Sequence, residues 1–238
     1  MKIILSPTKT MVNKEGQYET IYPLFLKESD ILVKKLQALS LDELKTLWGC
    51  SEKICLKEYQ NIQSLDLYHH LTPALEAYNG LVFKYLKRDL TERDKDYLNS
   101  HVYILSGLYG ILRMNDGVRP YRLDMGDALG NLYEFWGDKV YPVLKDDVIV
   151  NCASCEYSLT IKPYVESYHW IDVDFWEYEN NQYKTKGTFA KMARGALTRY
   201  CAQNKIESID ALKDFKELGF IYQDTLSDEG HIVFIKES

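Results

Sequence analysis

No stretch of this sequence approaches the roughly 18 consecutive apolar residues that a membrane helix needs, so no membrane partner is expected. The N-terminus, MKIILSPTKT, has one lysine and a short apolar run before it turns polar at Ser6. That is too little for the apolar segment of about 7–15 residues in a secretory signal, and it predicts a first buried strand in a cytoplasmic protein. Histidine is scarce, at five residues, and neither HExxH nor GxSxG occurs. There is no GxxxxGK[ST], and Gly107-Leu-Tyr-Gly110 lacks the third glycine of a dinucleotide fingerprint. No cofactor and no metal set are therefore expected. The five cysteines are an odd number without an export signal, which favours reduced thiols. Cys152-Ala-Ser-Cys155 has redox or metal spacing, but no second pair matches it, so it reads as incidental. Basic residues are outnumbered, 29 against 35 acidic, for a net charge of −6. Any nucleic-acid contact would need a local patch.

The 238 residues suit one large domain with a proper core. Ile3–Leu5 reads as a strand ended by Ser6-Pro7. Helical periodicity follows from Tyr22 to Ala38, Ser40 with Glu43 forms a capping box for a helix through Trp48, and Ser51 opens a third helix to about Leu65. Thr72-Pro73 predicts a short helix ending near Asn79-Gly80, and Thr91–Leu98 an exposed one. His101–Leu105, Val148–Asn151 and Trp170–Phe175 read as strands, the last pairing with Gln182–Lys186 across Asn180-Asn181. Leu132–Leu144 is helical with an interruption at Pro142. Thr188–Asn204 and Ser208–Lys213 are helical, and Phe220–Thr225 with His231–Ile235 closes as a hairpin. No repeat, low-complexity tract or linker divides the chain. The expectation is an α+β (mixed α/β) fold in one domain over residues 1–238, a central mixed sheet surrounded by helices.

Two segments stand out. Leu105–Asp138 holds six glycines, three arginines (Arg113, Arg119, Arg122) and the aromatics Tyr109, Tyr121, Tyr133, Phe135 and Trp136. It reads as a polar, glycine-hinged surface rather than core, suited to an anionic, ring-containing partner. From Asn180 to Ile206 there are six basic residues and no acid. Helical spacing puts Lys191, Arg194, Gly195, Thr198, Arg199 and Lys205 on one side, apolar residues on the other. Gly195 there permits close approach of a phosphate or of another element. Lys184, Lys186, Lys191 and Arg194 are the expected phosphate contacts.

Three strands end in polar clusters: Ser6 to Thr10, Ser106-Gly107, and Asn151 with Ser154. Ligands gather at the carboxyl ends of parallel strands. Parallel neighbours would bring together Lys9, Ser106, Tyr121, Trp136, Asn151, Ser154, Glu156 and Tyr157.

At these residues the chain resembles the YaaA family of bacterial peroxide-stress proteins. The resemblance runs through S-P-T-K-T (Ser6–Thr10), L-S-G-L-Y-G-x-L-R (Leu105–Arg113) and P-Y-R-L-D-M-G (Pro120–Gly126). It continues through L-Y-x-F-W-G-D (Leu132–Asp138), N-x-A-S-x-E-Y (Asn151–Tyr157) and K-x-A-R-G (Lys191–Gly195). Met114 stands where the family usually has proline, and Leu159 where it often has lysine, leaving Lys162 as a substitute cation. The resemblance implies a family-specific mixed α/β fold in a cytoplasmic protein. It also implies binding to double-stranded or structured DNA without sequence preference, and low unincorporated iron.

Two functional readings follow. The first is a non-enzymatic DNA-binding protein with Lys184, Lys186, Lys191, Arg194 and Arg199 on the backbone and Arg113, Arg119 and Arg122 lining the cleft. The second is an enzyme acting on a nucleotide or nucleobase. There Glu156 is general acid or base, Asn151 and Ser154 orient the substrate, Lys9 with the arginines holds phosphate, and Tyr121 or Trp136 stacks on the ring.

Overall fold

The computed structural model describes residues 1–14, 17–145 and 147–237. The first half of the chain reads β1 (Lys2–Leu5), α1 (Leu26–Gln37), α2 (Leu41–Trp48), α3 (Glu52–Gln63), β2 (Thr72–Pro73), α4 (Ala74–Ala77), α5 (Leu81–Leu86) and α6 (Glu92–His101). Then come β3 (Val102–Ser106), β4 (Gly110–Arg113), β5 (Gly117–Val118), α7 (Leu132–Val140), β6 (Ile149–Cys152) and α8 (Cys155–Ser158). The chain closes with β7 (Trp170–Glu179), β8 (Gln182–Lys184), α9 (Gly187–Asn204), α10 (Ile209–Leu212), β9 (Phe220–Tyr222) and β10 (His231–Glu237).

Apolar runs order the sheet. Ile3, Ile4, Leu5, Ile104, Leu105, Ile149 and Val150 are fully buried, so β1, β3 and β6 must lie inside with both faces covered. The strand order is β4-β3-β1-β6-β7-β10-β9, with β8 added along β7. The five strands β3, β1, β6, β7 and β10 run parallel, and β4 and β9 close the edges antiparallel. Because β3 lies to one side of β1 and β6 to the other, the crevice between β1 and β6 is where the winding reverses. Among the described residues no helix is long and apolar enough to cross a membrane.

Local signals account for several boundaries. Ser40 and Glu43 make the reciprocal capping box of α2, and Thr91 with Asp94 makes another on α6. Asn180 and Asn181 both take positive φ (52° and 59°), the geometry of a two-residue hairpin between β7 and β8. Other boundaries differ from expectation. Thr72-Pro73 is a strand paired with Gly117-Val118, and Gly80 begins α5 rather than ending a helix. The segment from Leu105 is not a polar surface: it contains β4 and β5, and Leu108, Tyr109, Ile111, Leu112, Val118 and Trp136 are wholly buried. Gly110 takes φ +71° and lies under the Trp136 ring, where a Cβ would come within 2.7 Å. Gly107, Gly117 and Gly137 are hemmed in likewise, whereas Gly130 takes φ +82° with nothing within 4 Å of its notional Cβ.

Helix α9 also departs from a two-sided reading. Gly195 and Thr198, assigned to the basic side, are buried with Ala193, Ala196, Leu197, Cys201 and Ala202. The helix is walled on more than one side by β7, α5 and α6. Of its basic residues Lys191 and Lys205 are exposed and Arg194 half-buried, and Lys205 is paired with Asp94 at 3.0 Å.

Candidate functional site

The carboxyl ends of β1 and β6 are tied by their own loops. Ser154 N–H donates to Ser6 Oγ at 2.8 Å, and the two hydroxyls lie 3.1 Å apart. This clasp fixes a cavity of about 520 Å³ over the β1/β6 crevice. Its walls include Ser6, Thr8, Lys9, Ser154, Glu156, Tyr157, Lys191 and Arg194. Lys9 Nζ lies 2.6 Å from Asp124, whose other oxygen accepts from Tyr157 Oη at 3.1 Å. Glu156 Oε1 accepts from Gly126 N–H at 3.1 Å. Lys191 is exposed and Arg194 half-buried, and neither forms an ion pair among the described residues. The buried Arg194 Nε has no hydrogen-bond partner among them either. A guanidinium left partly unsatisfied beside a cavity is an anion-binding arrangement.

Asp127 stands behind this wall, accepting from Asp124 N–H at 2.8 Å. Burial, reinforced by the Asp124 charge, pushes its carboxyl up to about 6. A raised folded-state value favours the neutral form. Stability is therefore full below the unfolded value near 4 and is lost as pH rises through about 6. Asp127→Asn keeps the acceptor and removes the charge. It should stabilise the protein by about 1–2 kcal/mol at pH 8, after allowing for partial solvent screening, and by almost nothing at pH 4. Urea titrations at the two pH values check this.

A second cavity of about 800 Å³ opens beside the first, and Arg194 lines both. Here Asn151 Nδ2 donates to Asp172 Oδ1 at 2.7 Å, Trp170 Nε1 to the same oxygen at 2.9 Å, and Lys162 Nζ to Oδ2 at 2.8 Å. These donors outweigh burial and hold the Asp172 carboxyl below its ordinary range. His231 Nε2 lies 3.0 Å from Asp174 Oδ2.

The expected residues divide accordingly. Lys9, Ser154, Glu156, Tyr157, Lys191 and Arg194 meet in the crevice, while Asn151 lies next door. Arg122 stands beside it with Lys9 and Tyr157. Ser106 is fully buried, bonding Tyr121 Oη at 2.7 Å, which in turn bonds Tyr78 Oη at 2.9 Å. Trp136 is wholly buried and offers no face to a ligand ring, and Tyr121 is buried with only an edge on the small cavity beside Arg122. Arg113 pairs with buried Asp116, three strand positions from Ser106 and at the far end of β3. Arg119 reaches the His70 carbonyl, away from the crevice. Arg199 is taken by Glu217 and the Tyr85 carbonyl, and Lys186 by Glu177 and Glu179 at 2.9 and 3.1 Å. Lys184 on β8 is exposed with no ion pair among the described residues. All five cysteines are free thiols; Cys152 is buried and pushed up to about 12, and Cys155 is exposed.

Asp124, Asp127, Asp174 and His231 were missed by sequence reasoning. The alternation Asp172-Val-Asp174 was the available signal, since it puts both carboxylates on one face of β7. Met114 is buried, and Leu159 and Lys162 line the second cavity.

A mixed sheet whose parallel core is wound in both directions from β1, with a polar crevice at the switch point, places the chain in the class of compact single-domain α/β proteins. Sequence comparison narrows it: the chain belongs to the family described as peroxide stress protein YaaA, whose profile matches residues 1–226. It is similar to a UPF0246 protein of Agathobacter rectalis, 40% identical over 245 residues and covering 98% of each chain. A UPF0246 protein of Lactiplantibacillus plantarum is 38% identical over 245 residues, covering 99% of each. One from Lachnoclostridium phytofermentans is 39% identical over 246 residues, 99% of this chain and 96% of the relative.

Proposed function

We propose that this chain serves the peroxide stress response in the cytoplasm by binding DNA and helping to keep unincorporated iron low. Ferrous iron turns peroxide into hydroxyl radical, so low free iron spares DNA and proteins. The family description supports the stress-response setting. The observation that carries the DNA reading is the pair Lys191 and Arg194, one turn apart on α9 and uncompensated at the crevice mouth. Lys184 extends the footprint, and Arg122 borders it. Because Lys186, Arg113 and Arg199 are committed to carboxylates, the footprint is small and local. Phosphate contacts of this kind carry no sequence information. Among the described residues no group of three or more His, Cys, Asp or Glu gathers for a metal.

The double variant Lys191→Glu/Arg194→Glu should bind duplex DNA at least tenfold more weakly. The slope of log affinity against log salt should also flatten by about 2, close to one per lost phosphate contact. Unchanged retention and slope would overturn the reading. Chelatable iron in peroxide-treated cells carrying that variant should rise toward the level of cells lacking the protein.

The gathering of Ser6, Lys9, Ser154 and Glu156 in one cavity favours a second reading, an enzyme acting on a nucleotide or nucleobase. Mass spectrometry of modified DNA and nucleotide pools after incubation tests it. Absence of any released product counts against it.

A further inference from the structure

The crevice and the neighbouring cavity differ in charge and share one residue. The first is lined by Lys9, Lys191 and Arg194 against Asp124 and Glu156, the second by Asp172, Asp174 and Asp228 against Lys162 and the shared Arg194, so the excess charge is positive in one and negative in the other. A phosphate is repelled by a wall of carboxylates, whereas hydroxyl and amino donors are drawn to it. The three carboxylates are not equally available. Both oxygens of Asp172 are taken, by Asn151 and Trp170 on one and Lys162 on the other. Asp228 Oδ1 accepts from Gly230 N–H at 2.8 Å within its own turn. Asp174 is partly exposed, and only its Oδ2 is engaged, by His231. Its Oδ1 accepts no hydrogen bond among the described residues.

We propose that the two cavities form one bipartite site for a ribonucleoside phosphate, with Arg194 holding the phosphate and Asp174 accepting from the sugar hydroxyls. This rests on the nucleotide reading of the crevice. His231 fixes the Asp174 carboxylate from one side, leaving the other oxygen turned to an incoming donor. The combined space, about 520 and 800 Å³, is ample for a nucleotide. The location fits the rule that ligands lie outside the carboxyl ends of strands at a switch point. A 2′-deoxy sugar keeps only its 3′-hydroxyl and so gives the acceptor one donor fewer, the kind of loss by which a polar site discriminates against an analogue lacking one hydroxyl.

Calorimetric titration of the full chain with the four ribonucleoside 5′-monophosphates and their 2′-deoxy counterparts tests the assignment. At least one ribonucleotide should bind about tenfold more tightly than its deoxy form. Asp174→Ala should bring the two to equal affinity, and Arg194→Gln should weaken both together. Asp174→Asn, which keeps a side-chain acceptor oxygen of the same shape without the charge, should retain part of the preference that Asp174→Ala abolishes; thermal melting confirms that each variant is folded. Equal affinities in the unaltered chain, or a preference that survives Asp174→Ala, would overturn the role of Asp174 while leaving a nucleotide site. Failure of every nucleotide to bind while DNA is still retained would overturn the bipartite site and leave the DNA proposal standing.

Discussion

Gly195→Ala is expected to destabilise the protein by about 3 kcal/mol and to loosen the crevice at the same time. A methyl group at position 195 would lie 2.1 Å from the Val82 carbonyl oxygen, 2.9 Å from its carbon and 3.0 Å from Tyr85 Cβ. Two of these three atoms are backbone of α5, so no rotamer change relieves the overlap. The helices must separate. In an exposed helix the same change would gain about 1 kcal/mol from propensity; here overpacking reverses the sign. Val82 and Arg194 both line the crevice, so parting α5 from α9 would also shift Arg194, the residue preceding 195. Gly187→Ala is the matched control. It lies at the start of the same helix, with nothing within 4 Å of its notional Cβ, and should be neutral or slightly stabilising. Urea unfolding of both variants, with DNA retention of the folded protein, separates the packing effect from a general effect of glycine replacement.

The role of Gly195 is set by Val82, more than a hundred residues away in the chain, and local sequence carries no sign of it. The capping box at Ser40, the Asn180-Asn181 turn and the apolar runs of β1, β3 and β6 act over a few residues, and each is legible where it stands. The polar strand ends were legible too, since topology alone brings Ser6 to Ser154. What a glycine or an arginine does depends on a partner far along the chain. Gly195 answers to Val82, Arg199 to Glu217, and Lys186 to Glu177 and Glu179. A run of basic residues without acids thus looked like one charged face, while the neutralising carboxylates arrived from other elements. The glycines between Leu105 and Asp138 misled in the same way. Their company of arginine and tyrosine suggested a ligand, but Gly110 makes room for the Trp136 ring. Free charge at Lys191 and Arg194 emerges only after every internal pairing is known.

Arg113→Ala should cost about 3–5 kcal/mol and leave the DNA affinity of the folded protein unchanged. Asp116 is wholly buried, and Arg113 supplies three of its donors: the backbone N–H at 2.8 Å, Nε at 2.9 Å and Nη2 at 2.8 Å. Burial alone pushes the Asp116 carboxyl up, and Arg113 pulls against that push. Removing the guanidinium leaves a desolvated carboxylate without its counter-charge, one of the costlier single changes a protein undergoes. The pH dependence follows in sign. With the opposing pull gone, the folded-state value of Asp116 rises further above its unfolded value. The added penalty is then small where the carboxyl can take up a proton and grows as pH rises. The deficit should therefore be larger at pH 8 than at pH 5. Arg113→Ala/Asp116→Asn should recover much of it, because the buried charge is gone with its partner. A loss of DNA affinity in folded Arg113→Ala, matching that of the Lys191/Arg194 double variant, would instead return Arg113 to the binding surface. Its position three strand residues from Ser106, at the opposite end of β3 from the crevice, argues for the first outcome.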